Sequence, residues 1–185
     1  MASLPDRKTV TYEEWLRMPE VEDAVEEVVN GEIRIMPPAK LKHTRIVTKL
    51  YDAIRLQTDS REVTVFSAVF GLIIRRSPLT SRVPDLAVFE TRTMVERDGY
   101  IHSAPQLVVE VLSPGNTRRE REEKLGDYAV IGVPEVWVVS PEGQTVEVLY
   151  LEGGALRSAQ VVREGALTPR HFPNMRVEVT AIWPD

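Results

Sequence analysis

Three side chains in this sequence are spaced so that they could do metal or acid–base chemistry together. They are Asp85 in "VPDLAVF", Glu110 in "LVVEVLSPGN" and Lys124 in "TRREREEKLGDY". Glu110 is the one that demands a reason. It stands among Leu107, Val108, Val109, Val111 and Leu112, and an ionised carboxylate in apolar surroundings is costly unless a basic side chain, a proton or a metal ion pairs with it. Asp85 follows Pro84, which cannot donate to a sheet ladder and suits the start of a strand. Twenty-five positions separate Asp85 from Glu110, room for a strand, a loop over 90–105 and a returning strand. If the two strands are neighbours, the carboxylates converge, and two such groups cannot both stay ionised without a cation. A hard divalent ion with oxygen ligands, Mg²⁺ or Mn²⁺, meets that need. Glu120, Lys124 and Tyr128 are spaced by four and share a helix face. Helical side chains lean toward the N-terminus, so Lys124 can reach back to the end of the Glu110 strand. In metal-assisted phosphodiester cleavage a lysine so placed orients or deprotonates the attacking water.

Each residue also has a plain structural reading. Glu110 could face solvent on an edge strand, although apolar residues on both parities favour a strand buried on both faces. Asp85 alone reads as a turn cap after proline. Lys124 alone reads as a surface lysine paired with Glu120, and Glu120 is itself accounted for by a capping box with Thr117. Tyr128 alone is a packing residue. His43 shares a helix face with Ile46, Val47, Leu50 and Ile54 and reads as a hydrogen-bonded boundary residue. Glu27 falls opposite Arg34 across an Asn30-Gly31 turn, which makes an exposed cross-strand ion pair a complete account. By the same parity Glu26, opposite Ile35, is the acid that points inward.

The elements that must position these groups follow from local patterns. Thr11 and Glu14 frame a short helix as a capping box. "EEVVNGEIRIM" is a hairpin with a type I′ turn. "LKHTRIVTKLYDAIRLQT" is an amphipathic helix of about five turns. "EVTVFSAVFGLIIRR" gives one broken strand or two, "PDLAVFE" another and "PQLVVEVLS" a third. Thr117 opens a second long helix, which closes near Gly132. "EVWVVSPEGQTVEVLYLEGGALRSAQVV" gives three strands joined by Glu-Gly and Gly-Gly turns, and the tail from His171 is expected to pack across a sheet edge. The fold class is therefore α/β (α+β). One domain over residues 1–185 carries a mixed sheet of six or more strands flanked by helices, with an N-terminal β-hairpin and a C-terminal β-meander.

Composition narrows the function classes. Apolar residues make up 43% of the chain and charged residues 28%, as in ordinary globular proteins. The absence of cysteine excludes disulfides, thiolate zinc sites and cysteine nucleophiles, and fits a cytoplasmic location. The N-terminus has no apolar signal segment and no stretch is long enough to span a membrane. A net charge of −5 argues against passive coating of nucleic acid. It leaves room for local basic patches, and two exist: Lys40, Lys42, Arg45 and Lys49 on one helix, and Arg118, Arg119 and Arg121 on another. Such charges are solvated faces unless both helix ends flank the carboxylates, where they would meet phosphates. No glycine-rich phosphate loop, Ser-His-Asp set or zinc spacing competes.

"PD" at 84–85 followed by a strand bearing "EVL" at 110–112 resembles the PD-(D/E)XK phosphodiesterase superfamily of restriction-endonuclease-like folds. More closely, "EEVVNGEIRIMPP", His43 heading a helix, "VPDLAVF" and "PQLVVEVLSPGNTRREREEKLGDYAVIGVPEVWVV" are similar, over nearly the whole chain, to the Uma-type family of small bacterial restriction-endonuclease-like proteins. The resemblance implies a divalent-metal-dependent endonuclease acting on DNA. Asp85 and Glu110 would hold Mg²⁺ or Mn²⁺ with the backbone carbonyl of Val111, and Lys124 and Glu27 would complete the catalytic set. The superfamily's usual lysine would stand at position 112, which is Leu112 here; in the Uma-type family the lysine has moved to the next helix, matching Lys124. The family histidine matches His43, expected with Lys42, Arg118 and Arg119 to contact nucleic acid. A family aspartate in the second long helix is replaced by Glu120. Two rivals stand beside this reading: a nucleic-acid-binding or interaction module that kept the fold and lost the chemistry, and a homodimer built on the C-terminal strands.

Overall fold

The computed structural model describes residues 9–19, 21, 24–67, 70–115 and 117–184. Residues 1–8, where a signal segment was looked for, and 68–69, at the break between two strands, lie outside these. The element order is α1 (Tyr12–Trp15), β1 (Val25–Val29), β2 (Glu32–Met36), α2 (Leu41–Arg55), β3 (Val63–Ser67), β4 (Leu72–Arg76), β5 (Leu79–Arg82), β6 (Leu86–Glu90), β7 (Glu96–Arg97), β8 (Tyr100–Ile101), β9 (Leu107–Val111), α3 (Arg118–Ile131), β10 (Glu135–Ser140), β11 (Thr145–Glu152), β12 (Ala155–Val162), β13 (Ala166–Leu167) and β14 (Val177–Glu178).

Local chemistry sets the ends of these elements. Thr11 and Thr117 each accept a bond from the backbone N–H three residues on, and Glu14 and Glu120 reach back to the cap N–H, so both expected capping boxes form. Gly132 ends α3 in the left-handed conformation at φ 91°. Asn30 and Gly31 both take positive φ, as a type I′ turn requires, and the hairpin pairs Val29 with Glu32 and Glu27 with Arg34. The first long helix is shorter than its sequence pattern, ending at Arg55.

Two six-stranded sheets result, ordered β12-β11-β10-β9-β6-β3 and β2-β1-β5-β4-β8-β7. The α+β restriction-endonuclease-like fold is thus built with a second sheet that the sequence pattern did not separate. "EVTVFSAVFGLIIRR" supplies one strand to each sheet, and the stretch expected as a plain loop, 90–105, carries the small hairpin β7–β8. β6 and β9 are central strands, and α3 crosses over between the parallel pair β9 and β10.

Alternate residues of the central strands bury against different layers, as the period of two demands. Leu86, Val88, Leu107, Val109 and Val111 pack with Ile46, Leu50 and Ile54 of α2. Ala87, Phe89 and Val108 pack with Tyr128 of α3 and with Leu72 and Ile74 of the second sheet. The C-terminal tail does not lie across a sheet edge: Met175, Val177, Val179 and Ile182 are buried in the α2 layer. Apolar spacing at 175, 177, 179 and 182 drives that burial. No helix among the described residues is long and apolar enough to cross a membrane.

Candidate active site

The register of β6 against β9 pairs Leu86 with Val109 and Ala87 with Val108. Carried one step further, it sets Asp85 opposite Glu110 where the two strands end. Asp85 Oδ2 accepts a 2.7 Å bond from the Val111 N–H, which fastens it to the Glu110 strand. Its other oxygen lies 3.0 Å from His43 Nε2, and His43 Nδ1 lies 3.4 Å from Ser113 Oγ. His43 therefore ties the first turn of α2 to both strand ends. Burial works against its charge, but the bond to Asp85 and the nearby carboxylates outweigh this and lift the imidazole above its ordinary range.

Glu110 has the parity of Val108, so it faces α3. Tyr128 donates a short hydrogen bond to Oε1, and Lys124 Nζ lies 3.1 Å from Oε2. The same ammonium lies 3.2 Å from Glu27 Oε1. One lysine thus serves two carboxylates, with Asp85 close by. Burial pushes the Glu110 carboxyl upward, Lys124 pulls it back, and Asp85 and Glu27 add repulsion that the Tyr128 bond only partly offsets, leaving it at about 7. Burial disfavours the Lys124 ammonium, yet Glu110, Glu27 and Asp85 together raise its pKa well above the ordinary lysine value. Lys124 is accordingly charged at neutral pH.

Glu27 is not the exposed partner of Arg34 that the hairpin register allows. Its side chain is 2% exposed, equal to that of Arg82, whose guanidinium bonds it at 2.8 Å. The Val83 N–H donates to the same carboxylate, while Arg34 turns to Glu123 at 2.8 Å. The inward acid is therefore Glu27 and not Glu26, which accepts from the Trp15 indole. Arg82 also holds Asp127 of α3 through Nε and NH2. Arg82, Asp127 and Glu123 were missed in the sequence. The segment that carries Arg82, "LTSR", looks too polar for a buried strand, although all four residues are buried. The available signal was an arginine three positions before Asp85 on the same chain run.

A first cavity, of about 220 Å³, lies beside Glu110 and Lys124; of the residues expected at nucleic acid, Lys42 and His43 line a second, of about 310 Å³, together with Ser113 and Ser140. Arg118 pairs instead with Glu122 on an exposed face of α3, and neither it nor Arg119 lines either cavity. Arg121, one turn on, does line the first cavity. Glu120 lines it too, but its carboxylate is spent on the Thr117 cap. Among the described residues no three of His, Cys, Asp and Glu are grouped to hold a metal ion by themselves. The residues that could supply oxygen donors are Asp85 and Glu110, with the Val111 carbonyl as the expected third. Hard oxygen donors beside a surplus of negative charge fit Mg²⁺ or Mn²⁺, which keep several waters and need few protein ligands.

The model of the Uma2 family, described as "Putative restriction endonuclease", matches residues 12–180. No curated protein matches the chain. Among solved structures, a putative nuclease belonging to DUF820 from Anabaena variabilis superposes with a TM-score of 0.76 at 22% identity, covering 94% of this chain and 97% of that one. At that identity the likeness shows the fold.

Proposed function

Since the chain belongs to the Uma2 family of restriction-endonuclease-like proteins, we propose that it is a divalent-metal-dependent endonuclease that hydrolyses phosphodiester bonds in DNA. One observation carries the reading: Asp85 and Glu110 stand opposite each other at the ends of β6 and β9, with Lys124 on Glu110. Asp85 and Glu110 would hold the metal together with the Val111 carbonyl, and the ion held there would supply polarisation of the phosphodiester and offset its developing charge.

The remaining roles belong to side chains. Lys124 is charged at neutral pH, so it orients the attacking water and faces the phosphate as a hydrogen-bond donor; it is not the general base. Glu27, clamped by Arg82 and the Val83 N–H, fixes the lysine from the other side. Tyr128 holds the Glu110 carboxylate in one orientation. His43 does the same for Asp85, and Lys42 meets a neighbouring phosphate.

Calorimetry with Mn²⁺ and cleavage of plasmid DNA test the proposal together. The wild type is expected to bind Mn²⁺ and nick the plasmid, and Glu110→Gln to do neither. Metal binding retained in Glu110→Gln would remove Glu110 from the metal site. DNA binding without cleavage in the wild type would favour the module that kept the fold and lost the chemistry.

A further inference from the structure

Beside the Glu110–Lys124 pair the surface sinks into a cavity of about 220 Å³. Its walls are of two kinds. Glu27, Glu110 and Lys124, with Arg34, Arg82 and Glu120, form the charged one, and the apolar one comes from Ile35 and Met36 of β2 together with Leu112, Leu125 and Val138. Ile35 keeps 53% of its surface exposed at this position. Arg121 closes a third side; one of its nitrogens pairs with Glu147, and its Nε–H has no acceptor among the described residues. A site with an apolar wall on one side and hydrogen-bonding groups on the other suits a flat ring with polar edges.

We propose that this cavity takes one unpaired nucleobase of the DNA strand being cut. The inference rests on the phosphodiester reading above and adds to it the form of the substrate. A phosphate held at Asp85 and Glu110 has a base one sugar away, and the cavity adjoins Glu110. Each cation that lines the cavity is already paired, Arg34 with Glu123, Arg82 with Glu27 and Asp127, Arg121 with Glu147, and Lys124 with Glu27 and Glu110, so a second phosphate there would have to compete with those acids. A stacked base pair is far too large for about 220 Å³, so the base must leave its stack. Extrusion costs a few kcal/mol from a duplex and little from a strand already single. Leu112 gains a role here: an aliphatic side chain, where the superfamily pattern has lysine, forms part of the apolar wall.

The test is binding without cleavage, by fluorescence anisotropy with Ca²⁺ as the divalent ion. Two 12-mers are compared, a single-stranded DNA and the same backbone with abasic residues throughout. The base-bearing strand is expected to bind about tenfold tighter or more, and Ile35→Ala to shrink that ratio at least about threefold while leaving abasic affinity unchanged. Ile35 is exposed, so the variant keeps its fold. Equal affinity of the two strands, or a ratio untouched by Ile35→Ala, would overturn the base pocket and leave the endonuclease reading standing. If neither strand binds while the wild type nicks plasmid DNA, the base pocket falls and the endonuclease reading stands; if the protein neither binds the strands nor nicks the plasmid, both fall.

Discussion

Lys124 places its ammonium 3.1 Å from the Glu110 carboxylate, although the two are 14 positions apart and the chain changes from strand to helix between them. The superfamily's strand lysine would occupy position 112, but Leu112 there packs into the layer under α3. The cation instead arrives from above, one turn before Tyr128 on the same helix face. Lys124→Met is therefore expected to lower the plasmid cleavage rate about a hundredfold or more, the loss typical of one transition-state donor. Its fold should survive, because Glu27 keeps Arg82 and Glu110 can take up a proton. Initial rates beside a thermal melt check this. Wild-type cleavage by the variant would take the lysine out of the reaction.

Arg82 is the second cation of the site, and its role is structural. Both it and Glu27 have side chains only 2% exposed, so removing the guanidinium leaves Glu27 to Lys124 and the Val83 N–H, and Asp127 to Arg75 at 3.8 Å, with a surplus of buried negative charge. Arg82→Met is expected to lose about 3 kcal/mol or more of stability in urea denaturation. Arg82→Lys should rescue only part of this, since an ammonium cannot bond two carboxylates as a planar fork does. Arg34→Ala, which breaks a half-exposed pair with Glu123, should cost less than about 1 kcal/mol. A comparable loss in Arg34→Ala would mean that the buried position is not what matters.

These two cations show what the sequence made legible. Asp85, Glu110 and Lys124 could be found because each breaks or punctuates a strong pattern: a carboxylate within an apolar run, an acid after proline, a lysine on one face of a capped helix. The strands of the central sheet were legible for the same reason. Arg82 was not. It sits in a strand of polar residues buried together, where Thr80 accepts the Asn30 N–H and Arg82 is held by two acids, so hydropathy gave no sign of burial. The Glu26 expectation failed on the same ground. The interior at that end of the hairpin is ionic, and the apolar residue of the pair, Ile35, is the one left exposed. The tail was misplaced because its short strand packs on α2 through residues too sparse to read as an element.

Glu120 separates cap from catalyst. Its carboxylate accepts the Thr117 N–H at 2.7 Å, and this bond and the Thr117 hydroxyl hold its pKa below the ordinary glutamate value. Glu120→Gln keeps the capping geometry and should cleave at the wild-type rate. Thr117→Ala should cost about 1 kcal/mol of stability. A large rate loss in Glu120→Gln with an unchanged melt would instead place this acid, which lines the cavity wall, in the chemistry.

Glu110 makes the site pH-dependent in a defined direction. Burial first, and the neighbouring carboxylates after it, push its carboxyl up to about 7 from the ordinary glutamate 4.5. The folded protein therefore binds the extra proton between those values, and its stability falls as pH rises through that window. Mn²⁺ requires the ionised form, so its affinity should climb about tenfold per pH unit below 7 and level off above it. Tyr128→Phe removes the donor that stabilises the charged carboxylate; the midpoint should move to higher pH and Mn²⁺ binding at neutral pH should weaken. Calorimetry across pH on wild type and Tyr128→Phe reads both effects. Urea midpoints at about pH 5 and pH 8 read the stability change, which Glu110→Gln should reduce without abolishing, because the raised imidazole of His43 also loses stability as pH rises through that range. A metal affinity that is flat with pH below 7 would mean that the ion does not displace the Glu110 proton, and the carboxyl would then be held by Lys124 and Tyr128 alone.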